Sequence, residues 1–346
     1  MHKIVIPKPG GYNRLHYKEF PDVQPAKGEI CIEVQASGVN YADCAVRWGL
    51  YESAKRFVGY PITPGFEVAG KVAAIGEGVS GWEIGEEVFG VSFFGGYASR
   101  LNVPAHQVFR IPEGWSMAQA AGFPAVFFTA YHALFQQMRL KEGMKILVHS
   151  AAGGAGGALL QLGKVAGCEM TGVVGASHKV PTAKQYGADH VIDKQTQDLW
   201  KEAEAIAPEG FDVVLDANGI ATLKQSWAHV RPTGKIVIYG FHTMLPKKGG
   251  RLNWPKLIWS WLRTPRFNPI DLPNQNRSII SFNLSFLFNR EDLLDEGMSD
   301  MLRWIKEGKI KPPVTRCFPL ADAAAAHQAI ESGQSVGKLI LESAGE

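Results

Sequence analysis

The sequence predicts an α/β protein built from a doubly wound parallel sheet and a smaller β-barrel-type domain, and three observations carry that prediction. From about residue 116 onward, β-type runs alternate with helical ones, the order that lays down a parallel sheet covered on both faces. From residue 1 to about 110, short alternating strands stand between Gly and Pro turns, the texture of a small barrel. Third, "SAAGGAGG" at residues 150–157 separates the apolar run "KILVH" from "ALLQLGKVAG", a glycine loop placed between a strand and a helix.

Taken in chain order, "EICIEVQASG" puts Ile30, Ile32, Val34 and Ala36 on one face and Glu29, Glu33 and Gln35 on the other, as a half-buried strand does. "AIGEGVSGWEIGEEVFG" holds five glycines in 17 residues, which reads as tight turns between barrel strands. "SMAQAAGFPAVFFTAYHALFQQM" suits one long, mostly buried helix with Ser116 as its N-cap. The strands expected next are Lys145–His149, Met170–Val174, His190–Ile192, Val213–Asp216, Ile236–Tyr239 and Ser278–Asn283. The tail reads as a helix, "ADAAAAHQAIESG", and a strand, "GKLILE", that can close back on the first domain.

Composition narrows the function classes. A chain of 346 residues has room for two domains, and 46% hydrophobic with 20% charged residues is a globular balance. A net charge of +3 argues against an obligatory nucleic-acid partner. The four cysteines, at 31, 44, 168 and 317, form no C-x-x-C pair and read as thiols. The start shows no secretory leader, and no run of 18 or more apolar residues occurs, so a cytoplasmic protein is expected.

Aligned as Ala151-x-Gly153-x-x-Gly156, the loop is the G-x-G-x-x-G fingerprint of a Rossmann unit with alanine at its first position. Gly153 lets the backbone approach a pyrophosphate, Gly156 lets the helix pack on the strand, and the helix N-terminus offers free N–H groups and a positive dipole end. Residues Ala152, Gly153, Gly154, Ala155 and Gly156 are therefore the expected phosphate cradle, against the bland alternative of a tight turn without a ligand. An NAD-binding unit places an acid at the end of its second strand; here "TGVVGASHK" ends in Ser177, His178 and Lys179. These side chains, with Lys194 in "VIDKQ", suit a 2′-phosphate and point to NADPH; the alternative for Lys179 is a solvated helix surface.

The segment "PGFEVAGKV" resembles the G-H-E segment of zinc alcohol dehydrogenases, with Phe66 in place of their histidine ligand and Glu67 kept. Asn40 stands where that family has its first cysteine ligand, and no four-cysteine cluster exists for a structural zinc. No metal is expected, and Cys44 reads as a small core residue without a partner. With "GVNYADCAVRWGLY", "YGADHVID", "GFDVVLDANG" and "AHQAIESGQSVGKLIL", the whole chain resembles the zinc-free quinone oxidoreductase group of the medium-chain dehydrogenase/reductase superfamily. Within it, "NRSIISFNLSFLF" and the insert before it resemble the branch named for the synaptic-vesicle amine transport protein.

That resemblance implies a GroES-like catalytic domain begun by residues 1–122, a Rossmann NADPH-binding domain over 123–288 with an insert at 244–276, and a return to the catalytic domain over 289–346. It implies that Asn40, Tyr51 and Thr129 line the reaction cleft. It also implies that Asn218, Gly240, Phe241, His242, Phe282 and Asn283 touch the cofactor, and that the chain dimerises through residues 278–284. Without a metal, the implied chemistry is direct hydride transfer from NADPH to a quinone or an α,β-unsaturated carbonyl such as an enal. Asn40 would hydrogen-bond the developing oxyanion, and Tyr51, a phenol titrating near ~10, or water would supply the proton. The bland alternative for both is packing.

The insert contains Trp254, Trp259 and Trp261 with Lys247, Lys248, Arg251, Lys256, Arg263 and Arg266, and no acid before Asp271. Such a stretch can lie peripherally at an anionic membrane through residues 250–266, form a lid, or cover a dimer face. A lid or interface is the preferred reading, while the vesicle branch's association with membranes and lipids gives the first option weight and leaves a membrane-associated or lipid-handling protein with a retained NADPH fold as the alternative function.

Overall fold

The computed structural model describes residues 1–246, 250 and 252–343. A hairpin of β1 (His2–Val5) and β2 (His16–Glu19) opens the chain. The barrel strands follow: β3 (Glu29–Val39), β4 (Glu67–Ile75), β5 (Glu87–Val91), β6 (Arg100–Pro104) and β7 (Val108–Arg110). Six parallel strands come next: β8 (Lys145–His149), β9 (Glu169–Val174), β10 (His190–Asp193), β11 (Phe211–Asp216), β12 (Val230–Ile238) and β13 (Ser278–Ser281). The tail adds β14 (Thr315–Pro319) and β15 (Lys338–Glu342).

The parallel sheet runs in the order β10-β9-β8-β11-β12-β13, so strand order reverses between β8 and β11. That reversal is the switch point at which doubly wound sheets bind ligands, outside the carboxyl ends of the strands. The second sheet runs β14-β15-β3-β4-β5-β7, with β6 pairing to β3. Its β15 comes from the tail and lies antiparallel to β3, Leu339 opposite Val39. Alternation along β3 buries Ile30, Ile32, Val34 and Ala36 and leaves Glu29, Glu33 and Gln35 half-exposed, as its sequence required.

One apolar core joins the two sheets: Ala36, Ala69, Phe89 and Val91 of the barrel share it with Phe123, Phe127, Ile146, Val148, Met298 and Met301. The single long helix expected after Ser116 is instead three pieces. Ser116 does cap the first, accepting from Gln119 N at 3.2 Å, but that helix ends after Met117–Ala121 and another begins at Pro124–Tyr131, followed by a π turn over His132–Gln136. Proline lacks the N–H that would continue a helix and fits its first turn. Gly122, between them, leaves the space that the Lys338 stem occupies: a Cβ there would stand 2.8 Å from Lys338 Cγ.

A second difference is β13, which stops at Ser281. Asn283 turns the chain by accepting from Ser285 N at 3.1 Å, opening the 3-10 turn Leu284–Phe286. In the insert, Asn253 caps a helix over Trp254–Leu262 through Lys256 N at 3.0 Å. Lys247, Lys248 and Arg251 lie outside the described residues. Among the described residues no helix is long and apolar enough to cross a membrane.

At the end of β8, His149 is fully buried. Ser226 directs its hydroxyl hydrogen to Asp216 Oδ2 at 2.7 Å, so its oxygen must accept from His149 Nε2–H, 2.9 Å away. Burial holds this imidazole well below its ordinary range, with Asp216 opposing the shift. The folded pKa is depressed, so stability is intact above the unfolded value near 6.5 and is lost as pH falls toward the folded value. Urea midpoints measured from pH 7 downward should therefore fall, and His149→Gln, which keeps a donor but cannot charge, should flatten that decline.

Candidate functional site

The glycine loop sits where the sheet reverses. Gly153 is the N-cap of the helix Gly154–Val165, and no side chain caps it, so the first N–H groups of that helix face the cleft unsatisfied by side chains. A Cβ on Gly156 would stand 2.2 Å from Ser150 O and 2.8 Å from Ala151 Cα, so only glycine lets the helix pack there. A Cβ on Gly153 would come only within 3.4 Å of Ser150 O; the space beside it is open, as a cradle for an anion needs. Ala152 is buried, and Gly153, Gly154 and Ala155 are half-exposed.

The tail completes this loop. Gly337 N donates to Ala152 O at 2.8 Å, and Gly337 bridges to Gly153. Lys179 Nζ donates to Gly333 O at 2.6 Å and Ser335 O at 2.9 Å, and His178 Nε2 lies 3.3 Å from Gln334 O. Burial, then the charge of Lys194, lowers the Lys179 pKa. An acid stands beside Ser177. Ser177 Oγ donates to Asp193 Oδ2 at 2.5 Å, and this hydroxyl is the first cause holding the Asp193 carboxyl below its usual range. No acid stands at the end of the second strand, as its sequence shows, and Asp193 arrives instead from the end of β10.

Opposite the glycine loop, Asn218 is buried after β11, its Oδ1 accepting from Ser150 Oγ at 3.2 Å and its carbonyl accepting from Thr243 Oγ1 at 2.5 Å. Gly240, Phe241 and His242 follow β12. Phe241 lies against Gly219, and His242 O accepts from Tyr41 OH at 3.4 Å, a contact that reaches the barrel side. Phe282 meets the edge of the His132 ring at 4.7 Å.

Across the cleft, Asn40 precedes the helix Tyr41–Trp48. Its Nδ2 donates to Glu67 Oε1 at 2.7 Å and its Oδ1 accepts from Lys338 Nζ at 2.5 Å. Lys338 Nζ stands 2.6 Å from Glu67 Oε1, and Glu67 Oε2 accepts from Ala125 N at 2.7 Å. Glu67 and Lys338 are buried. With a cation on its oxygen and a carboxylate on its nitrogen, the Asn40 amide has one possible orientation, and its second N–H makes no hydrogen bond within the described residues. Lys338 was not legible as a site residue; its only sequence signal was a lysine placed directly before the apolar run Leu339–Ile340–Leu341.

Tyr51 OH donates to Asn283 Oδ1 at 3.1 Å, joining the barrel side to the segment after β13. Burial raises its pKa, so the phenol is protonated at neutral pH. Ser285, not anticipated from sequence, donates to the same Asn283 oxygen at 2.7 Å. Thr129 Oγ1 donates to Ala125 O at 2.7 Å, leaving its lone pairs to accept.

Beneath Asn40 lies a buried polar network also missed from sequence. Asp43 accepts from Asn40 N at 2.8 Å, Gly65 N at 2.9 Å and Tyr97 OH at 3.0 Å, and burial nevertheless lifts its pKa to about 7. Arg47, fully buried, pairs with Glu331 at 2.7 Å. Cys44 does have a partner, contrary to the sequence reading: its Sγ lies 3.5 Å from His327 Nδ1.

Among the described residues, Cys44, His327 and Glu331 form the one group with three potential metal-ligating atoms in reach. Arg47 Nη1 sits 3.2 Å from His327 Nδ1, and burial holds Cys44 as a thiol, so this group suits a guanidinium rather than a metal ion. At the cleft, Phe66 offers no ligand atom and the Glu67 carboxylate already holds an ammonium. Neither place fits a zinc ion.

Residues 26–113 match the alcohol dehydrogenase GroES-like domain and residues 186–341 match the zinc-binding dehydrogenase model. The rat synaptic vesicle membrane protein VAT-1 homolog is 33% identical over 341 residues, which is 98% of this chain and 83% of the relative. The chain belongs to the quinone oxidoreductase-like, VAT-1-related medium-chain dehydrogenases/reductases. Among solved structures, the Escherichia coli quinone oxidoreductase complexed with NADPH superposes with a TM-score of 0.84 at 28% identity over 99% of this chain and 100% of that one. The CurK enoyl reductase does so with 0.83 at 26% identity over 99% of each chain. Membership thus makes the chain an oxidoreductase-family protein with the Rossmann and GroES-like architecture.

Two sets of variants check this geometry. Lys338→Met leaves Glu67 buried and unpaired and should cost about 3–5 kcal/mol of stability; adding Glu67→Gln should recover part of the loss, read as urea midpoints. Gly156→Ala should lower the melting temperature sharply, whereas Gly153→Ala should fold normally and bind reduced dinucleotide more weakly in a fluorescence titration.

Proposed function

We propose that the chain is a zinc-independent, NADPH-dependent oxidoreductase that reduces quinones or α,β-unsaturated carbonyls. The observation that carries this reading is the Asn40 amide, oriented by Lys338 and Glu67 beside Phe66, a fixed donor where related enzymes place a metal. Residues 152–156 would hold the pyrophosphate on their N–H groups, and Lys179 and Lys194 the 2′-phosphate. Asn218, Gly240, Phe241, His242, Phe282 and Asn283 would line the rest of the dinucleotide. When bound, NADPH supplies the hydride.

The chain's own residues do the remaining work. Asn40 spends its second N–H on the oxygen where negative charge develops, and the fixed charges behind the amide mean that no reorganisation accompanies the donation. Tyr51 is held beside the acceptor by Asn283, and its single hydroxyl hydrogen turns from Asn283 Oδ1 to the acceptor to pass a proton, with water as the alternative source. Thr129 offers an accepting oxygen to the same cleft. The division into residues 1–122, 123–288 and 289–346 follows from the same reading, with the cleft between the first two.

A second reading concerns where the protein works. Trp254, Ile258, Trp259, Trp261 and Leu262 are 54% to 62% exposed on one short helix with Lys256 and Arg263, a composition suited to the interface of an anionic bilayer. The exposed edge strand β13 offers a second copy a pairing surface.

Reduced-nicotinamide absorbance against a panel of quinones and enals tests the first reading, with turnover expected to favour NADPH over NADH. Asn40→Ala should lower kcat about 10²-fold, and Lys179→Ala should raise KM for NADPH about tenfold while moving that for NADH little. Lack of turnover with every acceptor would sink the enzymatic reading. For the second, sedimentation with phosphatidylserine vesicles should retain the wild type and release a Trp254→Ser, Trp259→Ser, Trp261→Ser variant.

A further inference from the structure

From Tyr51 a continuous strip of aromatic rings runs outward to the surface. Tyr51 packs edge-on to Phe66 at 5.8 Å and to Phe94 at 6.3 Å, and Phe94 touches Phe93 at 4.7 Å. Phe93 meets Phe57 at 5.8 Å, and Phe57 meets Phe286 at 5.6 Å, across from the barrel side to the segment after β13. The strip is buried at Phe94, 5% exposed, half-buried at Tyr51 and Phe93, and open at its outer end, where Phe57 is 53% and Phe286 42% exposed, with Val58 beside Phe57 at 49%.

Two features separate this strip from ordinary packing between the two halves. Its outer rings keep about half of their surface in water, so they are poorly used as mutual cover, and large contiguous apolar exposure marks a binding surface. Its inner ring is held at a cost. Phe94 has φ +68°, a left-handed conformation that a bulky residue rarely adopts and that persists where surrounding structure over-determines it, typically at ligand clamps. The strip begins at Tyr51, which the cleft already shares with Asn283.

We propose that the strip is a subsite for an apolar tail on the electron acceptor. This rests on the reductase reading of the cleft: the electron-poor ring or enal sits at Asn40 and Tyr51, and an alkyl or prenyl tail runs over Phe93 to Phe57 and Phe286, with the buried Phe94 as the support beneath. The preferred acceptor is therefore a lipophilic one, a prenylated or alkylated quinone or a long-chain 2-enal, rather than a small bare quinone.

The test is kcat/KM across two series, benzoquinones carrying none, one or two isoprene units and straight-chain 2-enals of increasing length, all below their micelle concentrations. In the wild type, kcat/KM should rise about tenfold from the bare ring to two isoprene units, as apolar burial predicts. Phe57→Ser with Phe286→Ser should reduce that rise to about twofold or less, its loss growing with tail length. A rise in only one series identifies whether the tailed acceptor is a quinone or an enal. No rise with tail length in either series, or a rise the double variant retains in full, overturns the subsite. Should no acceptor be reduced at all, the reductase reading fails, and the subsite is judged separately by calorimetry with redox-inert alkyl hydroquinone dimethyl ethers. Tail-dependent affinity lost in the double variant upholds it, and affinity equal in both proteins refutes it.

Discussion

The buried pair of Lys338 and Glu67 is the constraint around which the rest of the molecule is arranged. An ammonium and a carboxylate withdrawn from water are tolerated only when each is paired and further hydrogen-bonded, and here the partners come from four separate stretches of chain. Glu67 lies at the start of β4, Ala125 at a helix N-terminus, Asn40 before another helix, and Lys338 on the final strand. To deliver that lysine the tail must return to the barrel and pair β15 with β3. The lysine's stem must pass Gly122 on one side and Gly154, the first residue of the phosphate-loop helix, on the other. One side chain thereby touches both the glycine-loop helix and the Asn40 amide.

The same arrangement explains how a cleft can keep the framework of a metal enzyme with a different donor set. A carboxylate in the position of Glu67 needs a neighbouring positive charge whatever its source. In this chain the charge is an ammonium on a flexible stem, and the same carboxylate also accepts from the Asn40 amide nitrogen. An amide donates a hydrogen bond without accepting an electron pair, so under the proposed reductase reading the acceptors it suits are those already poor in electrons.

Much of this architecture was legible in the sequence because it depends on local patterns. The β3 alternation, the six parallel strands and the need for glycine at 156 are consequences of side-chain period and backbone room, which neighbouring residues determine. What escaped was long-range. The break of the helix after Ser116 depends on Pro124, which was visible, and on the Lys338 stem at Gly122, which was not. Asp193 reaches Ser177 from a strand 16 residues later, and Arg47 finds Glu331 across 284 residues. Periodicity carries no information about such pairings. The positions inferred for Asn40 and Tyr51 came from resemblance, and the structure adds what resemblance could not: the charges that orient one and the anchor that holds the other.

The bond from Gly337 to Ala152, with Lys179 gripping the carbonyls of residues 333 and 335, has a consequence for how the protein is made. A nascent chain can assemble the six parallel strands once β13 has emerged from the ribosome, well before residue 337 exists. Its glycine loop would then be correctly threaded yet unclasped, with the Lys338 stem missing from beside Gly154 and Glu67 buried without its cation. The same stretch of tail therefore completes both parts of the molecule, clasping the glycine loop and supplying the cation for Glu67 in the one step that closes the barrel.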